Sequence, residues 1–132
     1  MTIRHDCLKK GCYKMRLPDW AMLAGCFDPE PRVTPLDIDG AVEQNGRCLF
    51  LESKGPTGFP SSVLIRIFKV LAAQGHTAII FWTATEGGSD VTAMVVFGLE
   101  GYNPEKRPAS LDDLRTACAT WWKAVYERVA AA

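Results

Sequence analysis

The sequence predicts an α/β fold: a mixed central β-sheet flanked by helices, in the order α-β-β-α-β with an extra strand and a C-terminal helix. Three observations carry this. Asn45-Gly46 separates two strand-like runs, Leu36 to Gln44 and Arg47 to Lys54, and a type I′ hairpin turn needs positive φ at both central residues. A helix-type segment up to about Gln74 then leads into Thr77 to Trp82, a continuous β-type run of the kind a strand buried on both faces shows. Finally, Leu111, Leu114, Cys118, Trp121, Val125 and Val129 recur at helical spacing, as one core-facing stripe does.

The elements follow in order. Residues 1–16 are polar and basic with little periodicity and read as an N-terminal arm. Pro18 and Asp19 open the apolar run Trp20 to Leu23, enough for one or two helical turns before Gly25. Pro29, Pro31 and Pro35 make residues 28–35 a loop, because proline lacks an N–H to give. The hairpin comes next, then the Gly/Pro loop Gly55 to Pro60. Ser61 or Ser62 can cap the following helix, and Gly75 suits its left-handed C′ position. After the buried strand, Glu86 to Ser89 is a turn and Val91 to Gly98 a further strand. A Pro-rich loop leads to Ser110, the cap of the last helix, whose first turn carries Asp112 and Asp113.

A length of 132 residues fits a single domain with a real core. The chain is 48% apolar and 23% charged, the balance of a globular protein. It shows no basic-then-apolar leader and no window near the roughly 18 apolar residues of a membrane span, so a cytoplasmic protein with no membrane partner is expected. Five cysteines, an odd count, argue against a disulfide framework, and Cys48 and Cys118 read as small core residues. Fifteen basic and fifteen acidic residues cancel, which counts against a simple basic nucleic-acid binder. The distribution is uneven, however. Residues 1–16 hold Arg4, Lys9, Lys10, Lys14 and Arg16 against Asp6, whereas 17–45 hold Asp19, Asp28, Glu30, Asp37, Asp39 and Glu43 against Arg32. A basic arm beside an acidic pocket can serve phosphates and a divalent cation together; two ordinary solvated surfaces would give the same pattern.

The hairpin carries the chemistry. A two-residue turn sets Gln44 opposite Arg47, and the same register sets Asp39 opposite Glu52 and Asp37 opposite Lys54. Residues two apart share a face, so these four project from one side and Leu36, Ile38, Val42, Leu49 and Leu51 from the other. Two carboxylates face to face repel, unless a cation or the lysine compensates. Asp39 and Glu52, with waters and the Ser53 carbonyl, suit Mg²⁺ or Mn²⁺. Such an ion can polarise a phosphodiester and activate water, and Lys54 can orient that water or neutralise developing charge. A plain solvated strand face with an incidental Asp37–Lys54 pair is the competing reading.

Asp37-Ile38-Asp39-Gly40, followed after the turn by Glu52-Ser53-Lys54, resembles the core motif of the PD-(D/E)XK, or restriction-endonuclease-like, nuclease superfamily. The longer string from Pro35 to Glu43 and from Leu49 to Lys54 is similar to small phage and prophage members, as are Gly25-Cys26-Phe27 and the late Trp121-Trp122. The resemblance implies Asp39 and Glu52 as metal ligands, Lys54 as the catalytic lysine and Asp37 as a second acidic or supporting residue. It also implies Mg²⁺ (or Mn²⁺) as cofactor, DNA as partner and phosphodiester hydrolysis as the activity. Cutting both strands of a duplex in one encounter would require a homodimer. The chain departs from the pattern in one respect: many relatives place a glutamine early in the next helix, and none occurs between Lys54 and Lys69. Ser61, Ser62 and Arg66 are the candidates to stand in, and Asp19 is the candidate for an acidic residue from the first helix.

That departure and the balanced charge motivate an alternative, a catalytically inactive module of the same fold that binds nucleic acid or a host protein. A third reading, an inhibitor of a host enzyme, has only small size behind it. His5, Cys7, Cys12 and Cys26 could assemble a zinc site, but no second ligand pair follows, and scattered reduced cysteines explain them as well. His76 reads as a helix-end residue. Trp122 could stack on bases, while Trp121 continues the core stripe. No Lys-Ser/Thr follows Gly55 to Gly58, so a P-loop is not supported.

Overall fold

Asn45 and Gly46 take φ of 55° and 79°, the two positive values a tight hairpin turn demands. They join strand β1 (Gly40–Gln44) to strand β2 (Arg47–Lys54). The Glu43 carboxylate accepts the Gly46 N–H at 2.8 Å and braces the turn. Gln44 pairs with Arg47, Val42 with Leu49 and Gly40 with Leu51, the register read from the sequence. One expectation is corrected: β1 begins at Gly40, so Asp37 and Asp39 precede the strand instead of lying in it. The cause is local. The Asp39 carboxylate accepts the Ser53 N–H at 2.8 Å, taking a donor that a longer ladder would give to β1 backbone, and the pairing ends there.

The structure, a computed structural model, describes residues 19–30, 33 and 35–131, with side chains as far as Arg128. The expected basic arm and much of the proline loop at 28–35 lie outside the described residues. The chain divides into two compact units, Met1–Leu36 and Asp37–Ala132. In the first, Trp20–Leu23 forms a single 3-10 turn capped by the Asp19 side chain, which accepts the Ala21 N–H at 3.0 Å.

The second unit holds the sheet and both long helices. Helix α1 (Ser62–Ala73) starts where Ser61 Oγ accepts the Leu64 N–H at 3.1 Å. It ends before Gly75, whose φ of 93° is the left-handed stop anticipated there. Strand β3 (Thr77–Thr83) returns parallel to β2, pairing Glu52 with Ile80 and Lys54 with Trp82. Strand β4 (Val91–Phe97) runs antiparallel to β3. The Pro-rich segment expected to be loop contributes a two-residue edge strand, β5 (Arg107–Pro108). Its shortness has a reason: Pro108 has no N–H, so it fits only at an edge. The sheet order is β1-β2-β3-β4-β5.

Helix α2 (Leu111–Ala131) packs on β1, β2 and β4, and α1 on β3 and β4. The α2 side of the sheet is apolar: Leu49, Ile79, Met94 and Val96 close on Ala117, Trp121 and Val125. Leu114 and Cys118 pack against this cluster. Leu111, assigned to the core stripe by its spacing, is the first residue of α2 and is 42% exposed; Val129's side chain lies outside the described residues. On the α1 side, Phe68 is fully buried and meets Phe97 edge-on. His76 joins the layers, with Nδ1 accepting the Cys48 N–H at 3.0 Å and its ring edge-on to Phe50.

Candidate functional site

Alternation along β2 puts Leu49 and Leu51 on the α2 side and Glu52 and Lys54 on the α1 side. Glu52 is nevertheless only 7% exposed, which is unusual for a carboxylate on an ordinary solvated strand face. Its Oε1 lies 3.8 Å from Lys54 Nζ, a long ion pair at a half-buried lysine. Its Oε2 is buried and has no hydrogen-bond partner. Asp39 arrives from the chain just ahead of β1, fixed by its bond from the Ser53 amide.

These surroundings act on Glu52 in opposite directions. Burial is the largest effect and the nearby Asp39 charge the next; both raise its pKa, while the Lys54 ammonium lowers it. The balance pushes the carboxyl up from 4.5 to about 7. A hydrogen bond shared with the Asp39 side chain also favours the protonated form. Once ionised, Glu52 keeps a backbone hydrogen bond at Asp39 and the long Lys54 contact, while its buried Oε2 lacks a donor, so further positive charge there would stabilise it.

Three of the sequence-derived residues, Asp39, Glu52 and Lys54, therefore come together at the carboxyl ends of the parallel pair β2 and β3, a common ligand-binding position in open α/β sheets. Asp37 does not join them: it is exposed, outside β1, and makes no hydrogen bond or ion pair among the described residues. Ser61 spends its hydroxyl on the α1 cap, and Ser62 and Arg66 are exposed. Of the zinc candidates, His5, Cys7 and Cys12 lie outside the described residues, and Cys26 is an exposed free thiol. Among the described residues no group of three or more His, Cys, Asp or Glu side chains is placed to hold a metal ion, so an ion here would rest on two carboxylates. Mg²⁺ tolerates that inventory, since it commonly keeps several waters and binds through one or two carboxylates plus substrate phosphates.

Sequence reasoning did not single out the side chains bordering this cluster. Trp82, paired with Lys54 across the sheet, donates its indole N–H to the Gly58 carbonyl at 2.8 Å. The Lys106 ammonium lies 4.0 Å above the same indole ring. Trp82 has the pattern of a core residue and Lys106 that of a loop charge; the sheet register joins them, since Trp82 and Pro108 both pair with Ala93 from either side of β4.

No protein-family model, curated protein or solved structure matches the chain. The described residues define a mixed α/β fold with flanking helices, and none of its helices is long and apolar enough to cross a membrane.

Proposed function

We propose that the chain is a small metal-dependent nuclease of the PD-(D/E)XK kind, acting on DNA, with Asp39 and Glu52 as metal ligands and Lys54 as the catalytic lysine. The observation that carries this reading is the buried Glu52 carboxylate, with an unpartnered Oε2, beside Asp39 and Lys54. The fold does not need such a group there: an apolar residue would cost less to bury. When bound, Mg²⁺ or Mn²⁺ supplies Lewis-acid polarisation of the phosphodiester. Asp39 and Glu52 hold the ion, their fixed positions set by the Ser53 amide and by strand β2. Lys54 neutralises charge developing on the phosphoryl oxygens and orients the attacking water. Asp37 is assigned a supporting electrostatic role at most.

Asp39→Ala, Glu52→Ala and Lys54→Ala should each lower DNA cleavage by on the order of 10²–10³-fold or more while circular dichroism stays native. Isothermal titration with Mn²⁺ should show binding to the wild type that disappears in Glu52→Ala. Retention of cleavage by all three variants would overturn the reading. The two-carboxylate inventory favours one alternative, a fold that binds nucleic acid without cutting it. That alternative predicts salt-sensitive binding indifferent to EDTA.

A further inference from the structure

Phe59 is 83% exposed, the most exposed large apolar side chain among the described residues. It follows Lys54 by five residues and is held outward by its neighbours. Gly58 N–H donates to the Gly55 carbonyl at 3.1 Å, closing a turn, and the Gly58 carbonyl is gripped by Trp82. A side chain at Gly58 would come within 3.2 Å of Lys54 Cβ, so the loop lies tight against the strand that bears Glu52 and Lys54. Pro60 then holds Phe59 to extended backbone. An aromatic ring this exposed, on a loop whose backbone lies against the strand bearing Glu52 and Lys54, contributes nothing to the core.

The other side of Trp82 carries Lys106, exposed, with its ammonium on the indole face. The indole N–H edge thus fixes the loop that presents Phe59, and the ring face holds a cation. An exposed aromatic ring and a cation, tied to one tryptophan through Gly58 and through its ring face, are the kind of pairing that suits an unpaired nucleotide strand: bases stack on the ring and phosphates meet the cation. Duplex DNA offers a phenyl ring such a face only at its ends or at the cost of unstacking a base step.

We infer that the Asp39–Glu52–Lys54 site takes an unpaired nucleotide strand, with Phe59 stacking on a base next to the reacting phosphate and Lys106 contacting a flanking phosphate. The inference rests on the nuclease reading and narrows its substrate to single-stranded or locally opened nucleic acid.

The test is fluorescence anisotropy with a labelled thymidine oligonucleotide and a duplex of equal length, in EDTA and in Ca²⁺, across a salt series. The wild type should bind the single strand more tightly than the duplex. Phe59→Ala should weaken single-strand binding on the order of tenfold, with Phe59→Trp restoring it. Lys106→Ala should weaken it several-fold and reduce the salt slope by roughly one phosphate contact. Phe59 is exposed, so its variants should melt like the wild type. Lys106→Ala also removes the contact to the Trp82 ring and should melt slightly lower, so binding is compared well below both melting temperatures. Equal binding by wild type and Phe59→Ala, a preference for duplex, or no binding of either oligonucleotide would overturn the inference. Mn²⁺ titration separates the two proposals. Mn²⁺ binding and DNA cleavage that ignore Phe59 and Lys106 would remove this inference alone. Phe59-dependent strand binding by a wild type that takes no Mn²⁺ would remove the nuclease reading and leave the single-strand binding surface at Phe59 and Lys106 without chemistry.

Discussion

The two sides of strand β2 are built to different ends. Toward α2 it presents Leu49 and Leu51, absorbed into a cluster with Ile79, Met94, Val96, Trp121 and Val125. Toward the α1 side, its carboxyl end presents Glu52 and Lys54, and Glu52 is buried almost as deeply as its apolar neighbours. The first side lowers the free energy of the fold with every side chain. The second raises it, since burial and the neighbouring Asp39 carboxylate outweigh the long Lys54 contact and the backbone hydrogen bond at Asp39 that favour the ionised Glu52. A strand that gains stability on one side and loses it at the end of the other is the pattern on which the proposed metal site rests.

The contrast can be broken from the apolar side first. Trp121→Ala, removing a side chain only 3% exposed, should cost about 3–5 kcal/mol in urea unfolding. It should leave the stoichiometry of Mn²⁺ binding unchanged wherever the variant remains folded. If instead the metal site is lost in a folded variant, the two sides of β2 are not independent.

Glu52→Gln tests the costly side, with the opposite sign. A carboxyl raised from 4.5 to about 7 on folding keeps its stability contribution below the unfolded value and loses it as pH rises through the folded one. The metal-free wild type should therefore lose up to roughly 3 kcal/mol between about pH 4.5 and 7 from this group. Glu52→Gln should remove that fall and be the more stable protein at pH 8, with little difference at pH 4. Denaturant melts at the two pH values check it. A wild type whose stability is flat over this window would mean that Glu52 folds without the desolvation its burial implies. Mn²⁺ should flatten the wild-type curve, because a cation replaces the missing partner.

Much of this contrast was legible in the sequence. Asn45-Gly46 defined the register, and the register alone separated Leu49 and Leu51 from Glu52 and Lys54. The helices announced themselves through Ser61, Gly75 and the stripe at Leu114, Cys118, Trp121 and Val125. Asp37 was misplaced because alternation continues through residues 36–39, whereas pairing stops where the Asp39 side chain captures the Ser53 amide; a side chain competing for a backbone donor leaves no mark in a periodicity. Strand β5 was missed for a related reason, since two paired residues are too few to show a period and Pro108 reads as loop. Phe59, Trp82 and Lys106 could not be grouped from sequence, because the contacts linking their loops, Trp82 to Gly58 and Lys106 to Trp82, join segments far apart in the chain.

The smallest effect concerns Ser61, which stands where a helix residue could replace the absent glutamine. Its hydroxyl already accepts the Leu64 N–H at 3.1 Å, satisfying one of the four donors that a helix start leaves open. The cap holds that oxygen over the first turn of α1, and among the described residues no hydrogen bond links it to Asp39, Glu52 or Lys54. Ser61→Ala should therefore cost about 1 kcal/mol of stability, with Ser61→Asp recovering most of it. Cleavage per folded molecule should not change in either variant. Thermal melts and single-turnover assays on the same preparations separate the two quantities. A rate that falls in Ser61→Ala beyond the folded fraction would give this hydroxyl a part in the chemistry and place the missing glutamine's role at the first turn of α1. An unchanged rate confines the chemistry to the end of β2 and the Asp39 that crosses to it.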